Sequence, residues 1–196
     1  MPIEIVTLCG SVRPGNFTAK ALALVVDELR QQKDVRVTEI DLANVELALP
    51  GRSVADPAAL EAFQNQVRQA TGVILATPEY HGSFSSVIKL AIENMGFPSG
   101  LAGKPVALLG VAAGRIGAIK SLEHLRSVCS HVGSLVLPNL VSVANVQTLF
   151  DQDGRCLDPA TEKLVRGVGT SLVHYIEGSV CPRFVLEAML RESAVA

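Results

Sequence analysis

The segment 8–18 combines hydroxyl, amide and guanidinium groups at the point where an apolar strand pattern ends and a helical pattern begins. A turn of this kind presents unpaired backbone N–H groups to an anion at the positive end of the helix dipole. The side chains of Ser11, Asn16 and Thr18 can add hydrogen bonds, and Arg13 can add a charge-assisted one. The segment therefore predicts a phosphate-binding loop. An ordinary strand-to-helix turn capped by Ser or Asn is the alternative.

The positions of the glycines narrow the ligand of this loop. Gly10 and Gly15 have the G-x-x-x-x-G spacing of a Walker loop, but the segment 16–18 is Asn-Phe-Thr where a nucleoside triphosphate site would carry Lys followed by Ser or Thr. The loop also does not have the G-x-G-x-x-G pattern that holds a dinucleotide pyrophosphate. These residues favour a terminal phosphate monoester, held by hydroxyls, backbone N–H groups and one arginine.

A second polar segment follows the third apolar run of the chain. Pro78 fixes the exit from the strand, and Gly82 allows the backbone to approach a flat ligand closely. Tyr80 and His81 offer planar groups to an aromatic ring, and Ser83 can cap the helix that follows. The alternative interpretation is a strand–turn–helix connection whose polar groups have no ligand.

A third loop, 112–117, has Gly114 and Gly117 three residues apart, a spacing that permits close approach to the plane of a ligand. Arg115 lies between the two glycines. Its guanidinium could meet a phosphate, a carboxylate of a partner or solvent, and the sequence favours a solvated or interface position.

Apolar runs alternate with helical patterns along the chain. The expected strands cover 3–9, 35–40, 72–77, 105–111 and 134–138, the last either extended or followed by 141–143. The expected helices cover about 16–32, 57–70, 83–95, 117–131 and 159–177. Strands interleaved with helices specify a parallel sheet covered on both faces, with ligands beyond the carboxyl ends of the strands. The three polar loops should therefore converge at that edge.

Composition limits the class of protein. The 196 residues are sufficient for a single domain spanning 1–196, in which 179–196 form an apolar C-terminal extension. The net charge is −2, and no basic run is present that could follow a nucleic acid or a membrane surface. No apolar stretch reaches the roughly 18 residues of a membrane span, and the N-terminus does not have a secretory pattern. We therefore expect a cytoplasmic protein.

The cysteines are widely spaced and form no C-x-x-C pair, which favours reduced thiols. Cys9 ends the first strand beside the phosphate loop and could be a reactive thiol, but a small buried hydrophobe is the favoured interpretation. No catalytic cysteine is assigned. The histidines in the expected helices show no ligand spacing with a cysteine or a carboxylate, so no metal site is assigned.

Several of these segments together resemble one known family. The segments 10–18 (GSVRPGNFT), 78–83 (PEYHGS) and 103–106 (GKPV) occur in the order and context typical of NAD(P)H-dependent FMN reductases, which are flavodoxin-like proteins. The segment 150–154 (FDQDG), before the last helix, also matches that family. The sequence differs from the usual pattern at His81, where Asn is commoner, and at Ala112-Ala113, where Ser-Gly is commoner.

The resemblance implies a flavodoxin-like three-layer α/β sandwich with a five-stranded parallel sheet in the order 2-1-3-4-5, usually assembled as a homodimer or homotetramer. It implies FMN at the switch point of the sheet. By resemblance, the residues at the FMN phosphate are Ser11, Arg13, Asn16, Phe17 and Thr18; those along the isoalloxazine and ribityl chain are Pro78, Glu79, Tyr80, His81, Gly82 and Ser83; and those at the other margin of the ring are Ala113, Gly114 and Gly117.

The activity that the resemblance implies is transfer of hydride from NADPH or NADH to bound FMN, and then to a quinone, free flavin, chromate or azo acceptor. Because the cofactor carries this chemistry, no acid–base pair is expected among the side chains. A flavodoxin-like carrier or redox sensor acting on protein partners is the alternative, although the chain is not strongly acidic. A phosphate-ligand transferase or hydrolase is a third class, and the motifs of such enzymes are missing from the sequence.

Overall fold

The structure is a computed structural model, and it describes residues 2–183, 185–187 and 190. Its strands are β1 (Ile3–Cys9), β2 (Val35–Ile40), β3 (Gly72–Tyr80), β4 (Ser83–Phe84), β5 (Pro105–Val111), β6 (Leu135–Val136) and β7 (Val141–Val143). The central path runs β2-β1-β3-β5-β6, with every neighbour parallel. Numbered along the chain, these five strands have the order 2-1-3-4-5, which confirms the expected topology.

Helices cover both faces of the sheet. They are α1 (Phe17–Arg30), α2 (Pro57–Gln69), α3 (Ser86–Glu93), α4 (Ile119–His131) and α5 (Pro159–Tyr175), with short 3₁₀ turns at Leu42–Asn44 and Val146–Thr148. Four helices begin with a side-chain cap, whose oxygen accepts a backbone N–H of the first turn. The capping residues are Asn16 for α1, Asp56 for α2, Ser85 for α3 and Asp158 for α5. These caps satisfy donors that have no partner inside the helix, so they fix where each helix begins.

The side chains of each strand point alternately to the two faces of the sheet, and each face has its own hydrophobic core. On one face, Ile5 of β1 packs with Val25 of α1 and Leu172 of α5, and all three are essentially buried. On the other face, Leu8 of β1 packs in a cluster that includes Phe63 of α2. This second cluster also includes buried residues of α3 and α4. Since successive strand residues point to opposite faces, one strand supplies both cores, and the result is a three-layer sandwich.

The connection after β3 differs from the prediction. β3 continues to Tyr80 and turns back into β4. The segment expected to be a loop is therefore a β-hairpin with a two-residue turn. His81 and Gly82 at its tip have φ of 51° and 75°, which are typical of a type I′ turn. The prediction that Ser83 caps the following helix is wrong. Ser85 is the cap, and its Oγ accepts from the N–H of Ile88.

The last helix continues beyond α5 through a π-helical turn at Ile176–Val180, where Ile176 is completely buried. The proposed extension 179–196 belongs in part to this helical continuation, while 184, 188–189 and 191–196 lie outside the described residues. Within the described part of the chain, no helix combines the length and the apolarity needed to cross a membrane.

Candidate functional site

The three polar loops converge at the carboxyl edge of the sheet. The strands β1, β3 and β5 are parallel neighbours, so the segments that follow them lie side by side. Between them is a cavity of about 420 Å³. The predicted site residues that line it are Ser11, Arg13, Asn16, Phe17, Thr18, Pro78, Glu79, Tyr80 and Ala113. The arrangement is that of a ligand site at the switch point of an open α/β sheet.

Asn16 organises the loop after β1. Its Oδ1 accepts from the N–H of Ala19 at 2.7 Å and so caps α1. Its Nδ2 donates to the carbonyl oxygens of Ser11 at 3.2 Å and Arg13 at 2.7 Å. Both amide hydrogens of Asn16 are therefore used within the loop. Asn16 shapes the anion site rather than offering a free donor to it.

Other donors of this loop remain available. The N–H groups of Phe17 and Thr18 lie in the first turn of α1 and make no hydrogen bond among the described residues. The hydroxyl of Ser11 is buried and also has no partner in the part of the chain that the structure describes. A buried hydroxyl without a partner is uncommon in native proteins. A phosphate in the cavity would satisfy it, so the loop fits the terminal phosphate of a mononucleotide.

The hairpin side of the cavity is tied to the phosphate loop and to α4. The guanidinium carbon of Arg13 lies 5.9 Å from the centre of the Tyr80 ring, a distance typical of a cation–π contact. Glu79 Oε2 accepts from the N–H and the Oγ of Ser121 at 3.3 and 3.4 Å. The carboxylate of Glu79 is therefore held at the start of α4, where the helix dipole favours a negative charge.

The structure places five predicted site residues outside this cavity: His81, Gly82, Ser83, Gly114 and Gly117. The first three form the tip of the hairpin, where Ser83 Oγ lies 3.1 Å from His124 Nδ1. Gly117 has a φ of +77°, and a Cβ atom there would lie 2.4 Å from Ser142 Oγ. The fold itself thus requires glycine at 117. The glycine at 82 matches the preference of a type I′ turn.

Sequence reasoning did not assign a binding role to five residues that line the cavity: Pro14, Gly15, Val111, Ala112 and Val146. Pro14 and Gly15 belong to the phosphate loop, so their position in the sequence was a usable signal. Val146 follows β7 and reaches the cavity because its N–H donates to the carbonyl of Ala112 at 3.1 Å. No local pattern identifies that contact.

The thiol of Cys9 lies behind the loop, within 3.6 Å of the Ser11 carbonyl and 3.9 Å of Asn16 Oδ1. Burial raises the pKa of the Cys9 thiol, and the hydrogen bond to Ser11 only partly opposes this effect. Burial raises the pKa of the Cys129 thiol to about 12. A raised pKa lowers the thiolate fraction, and the thiolate is the nucleophile, so both side chains are poor nucleophiles.

Cys9, Cys156 and Cys181 are all partly exposed, but the raised pKa of Cys9 slows its reaction. We therefore expect iodoacetamide at pH 8 to modify Cys156 and Cys181 before Cys9 and to leave the buried Cys129 unmodified. At that pH a thiol with a pKa of about 12 has roughly one thiolate in ten thousand. Mass spectrometry of peptides from folded and urea-unfolded samples measures the order of labelling. Rapid labelling of Cys129 in the folded protein would contradict its burial.

The fold and the cavity define a class of protein. A three-layer sandwich with this strand order and a mononucleotide-sized cavity at the first strand–helix turn is flavodoxin-like. An archaeal flavodoxin structure superposes with a TM-score of 0.59 at 14% identity, covering 87% of this chain and 99% of that structure. The flavoenzyme NAD(P)H:(acceptor) oxidoreductase FerB of Paracoccus denitrificans superposes with a TM-score of 0.73 at 23% identity, covering 90% of this chain and 98% of that structure.

Sequence comparison gives the family. Residues 3–148 match the model of the NADPH-dependent FMN reductases, and the chain belongs to that family. An NAD(P)H-dependent FMN reductase of Pseudomonas aeruginosa is 32% identical over 171 residues, which cover 84% of this chain and 90% of the relative. A quinone reductase of Escherichia coli is 29% identical over 188 residues, covering 89% and 96%. The protein is therefore a flavin-dependent oxidoreductase that uses FMN and NAD(P)H.

Proposed function

We propose that this protein binds FMN in the 420 Å³ cavity and reduces a small planar acceptor directly, without a protein partner. The observation that carries the proposal is the buried, unpartnered hydroxyl of Ser11, a residue that lines that cavity together with Phe17 and Thr18, whose N–H groups are free among the described residues. This donor set matches a phosphate monoester. Bound FMN supplies the two-electron chemistry that connects a nicotinamide donor with an acceptor.

We assign distinct roles to the two sides of the cavity. On the phosphate side, Ser11, Arg13 and the start of α1 hold the anion, and Asn16 keeps the loop in shape. On the hairpin side, Pro78 to Ser83 border the ring. At its other margin we place Ala113, Gly114 and Gly117, as the resemblance implies. Five of these residues, from His81 to Ser83 and at Gly114 and Gly117, lie outside the cavity. We propose that they also border the ring, because they belong to the same two loops as residues that line the cavity.

The rim of the site supports a planar acceptor of moderate polarity. Val12, Tyr80 and Ile116 are large apolar side chains that remain exposed next to the converging loops. Relatives of the chain include proteins named quinone reductase, 2-hydroxy-1,4-benzoquinone reductase and NADPH azoreductase. We propose a quinone as the acceptor, with free flavin, chromate and azo compounds as further candidates.

Anaerobic titration of the FMN-loaded protein tests this function. We expect NADPH or NADH to bleach the flavin absorbance, and a quinone to restore it with no other protein present. Steady-state oxidation of the donor should then depend on the quinone concentration. A protein that cannot be reconstituted with FMN would contradict the cofactor assignment. Flavin that is bleached but reoxidised only by a protein extract would support an electron carrier instead.

We further infer that the chain assembles as a homo-oligomer, a dimer or a tetramer. A groove of about 970 Å³ lies between α3 and α4, and its lining includes Ile92, Val128 and Val132. Phe97 at its margin is fully exposed. A large apolar side chain in such a position is typical of an interface between subunits.

Replacing Phe97 by aspartate should shift the assembly toward the monomer. A buried aromatic anchor is typically worth about 2 kcal/mol or more, so the dissociation constant should rise at least about 30-fold. Size-exclusion chromatography with light scattering measures the mass against concentration. Leu157→Asp is the control, since Leu157 is also exposed but lies outside the groove. Equal masses for Phe97→Asp and the parent chain would contradict an interface at this groove.

We also propose that the whole chain, 1–196, forms one domain in the cytoplasm. The four cysteines are free thiols, which is typical of proteins kept in a reducing compartment. Val180 and Cys181, which are partly buried against the core of α1 and α5, support the assignment of the start of the C-terminal segment 179–196 to the same domain.

A further inference from the structure

A second cavity, of about 400 Å³, lies on the other side of the phosphate loop, between α1 and the carboxyl end of β2. Ser11, Arg13, Pro14 and Asn16 line both this cavity and the proposed FMN cavity. The phosphate loop is therefore a wall shared by two adjacent spaces. A ligand long enough to pass over the loop could occupy both at once.

The lining of the second cavity includes a buried hydroxyl without a partner in the described chain, that of Thr7. Thr7 lies on β1 two residues after Ile5 and two before Cys9, so its side chain points to the face covered by α1. Thr7 is 1% exposed, and its Oγ1 makes no hydrogen bond with any described residue. Ser11 belongs to the same lining, but its Oγ is already assigned to the FMN phosphate. Thr7 Oγ1 is therefore the hydroxyl that remains for a polar ligand or ordered water of the second cavity.

The rim of the cavity is acidic, and one wall is apolar. Glu39 and Asp41 lie at the end of β2, and both are exposed. Each carboxylate oxygen of Asp41 accepts one hydrogen bond, from Ala43 N–H or Asn44 Nδ2, so each keeps acceptor capacity. The charge of Asp41 is also felt inside the cavity, where it adds to burial in raising the pKa of Cys9.

An acidic side chain at the end of the second strand is well placed to accept hydrogen bonds from a ribose diol, as in dinucleotide-binding α/β folds. Ala19, Leu22 and Ala23 of α1 also line the cavity and supply an apolar surface suited to a flat base. Arg13 lies at the shared wall, where it can face the charged link between two nucleotides. The lining thus combines an apolar surface, carboxylates and a guanidinium, which are the groups that a base, a ribose diol and a phosphate require.

We propose that this second cavity binds the adenosine half of the nicotinamide dinucleotide donor, with its ribose hydroxyls on Asp41. The proposal rests on the proposed function, since it extends the donor site of the same enzyme. Asp41 and Glu39 would repel a 2′-phosphate, so the site favours NADH over NADPH. Glu39 is partly neutralised by Arg30 at 2.5 Å, which makes Asp41 the stronger determinant.

Filling the cavity tests the assignment. Ala23→Phe, on the exposed surface of α1, should raise the KM for NADH about tenfold. It should leave kcat/KM for reduced nicotinamide mononucleotide, which has no adenosine, within twofold. Ala62→Phe is the matched control, since Ala62 is an exposed helical alanine of α2 that lines neither cavity. Equal losses with both donors, or no loss with either, would overturn the proposal.

Binding of ADP-ribose to the FMN-loaded protein, measured by calorimetry, gives a readout independent of turnover. Ala23→Phe and Asp41→Asn should each weaken this binding about tenfold, and Ala62→Phe should not. Asp41→Asn should also reduce the preference for NADH over NADPH. ADP-ribose that binds equally to all variants, or to none, overturns the adenosine site. A protein that binds ADP-ribose as expected but oxidises neither dinucleotide supports this site and contradicts the proposed function.

Discussion

Replacing Arg13 by alanine should weaken FMN binding by about 10- to 100-fold. The guanidinium lies at the cavity beside the start of α1, and no carboxylate pairs with it among the described residues. Its charge is therefore available to a phosphate, and charge-assisted hydrogen bonds contribute about 1.5–3 kcal/mol each. The dissociation constant is measured by titrating the apoprotein with FMN and monitoring the quenching of the flavin fluorescence.

Riboflavin makes this test specific, because it has the same ring and ribityl chain without the phosphate. If Arg13 acts on the phosphate, Arg13→Ala should weaken FMN binding and leave riboflavin binding within about twofold. A parallel loss for both ligands would instead assign the effect to the contact between Arg13 and Tyr80. Arg115→Ala is the matched control, since Arg115 is exposed and lies outside the cavity. Unchanged FMN affinity in Arg13→Ala would contradict the phosphate role.

The part of the fold that depends on local sequence was predictable. β1 and α1 were expected from apolar periodicity alone, and the structure places them within two residues of the expected bounds. The capping role of Asn16 was open to the same reasoning, because Asn before an apolar helical pattern is a strong start signal. The convergence of the three loops followed from the parallel order of β1, β3 and β5.

The hairpin after β3 was not predictable from its own residues. Neither Asn-Gly nor Asp-Gly, the usual type I′ pairs, stands at 81–82, and β4 has only two residues. Tertiary contacts stabilise this turn instead: Ser83 meets His124 of α4, and Thr77 Oγ1 accepts the N–H of Ser85 at 3.1 Å. These partners are 41 and 8 positions away. A local pattern therefore placed the helix cap two residues too early.

The role of Asn16 shows a second limit. The sequence offered its amide as a phosphate ligand, whereas the structure uses both amide hydrogens inside the loop. Side-chain type predicts which hydrogen bonds are possible, but the backbone conformation decides which partner is nearest. The unpartnered hydroxyls of Ser11 and Thr7 likewise cannot be identified from the sequence, because the folded structure decides whether any hydrogen-bond partner lies near them.

Replacing Gly10 by alanine should destabilise the protein by about 3 kcal/mol, because the fold leaves no space for a methyl group there. A Cβ atom on Gly10 would lie 2.4 Å from Cγ1 of Ile88, 2.9 Å from the carbonyl oxygen of Ala76 and 2.9 Å from Oγ of Ser85. The carbonyl of Ala76 accepts the N–H of Gly10 at 2.7 Å, and Ser85 caps α3. Relief of the clash must therefore separate β1 from β3 or disturb the start of α3.

Urea unfolding, monitored by circular dichroism, measures this change in stability. We expect a lower urea midpoint and an unchanged dependence of the unfolding free energy on urea concentration. Gly114→Ala is the control: a Cβ atom on Gly114 meets nothing within 4 Å, so its stability should stay within about 0.5 kcal/mol of the parent chain. Equal midpoints for the two variants would contradict the close packing at Gly10. Because Gly10 begins the phosphate loop, the same displacement should also weaken FMN binding, whereas Gly114→Ala should retain the anion site.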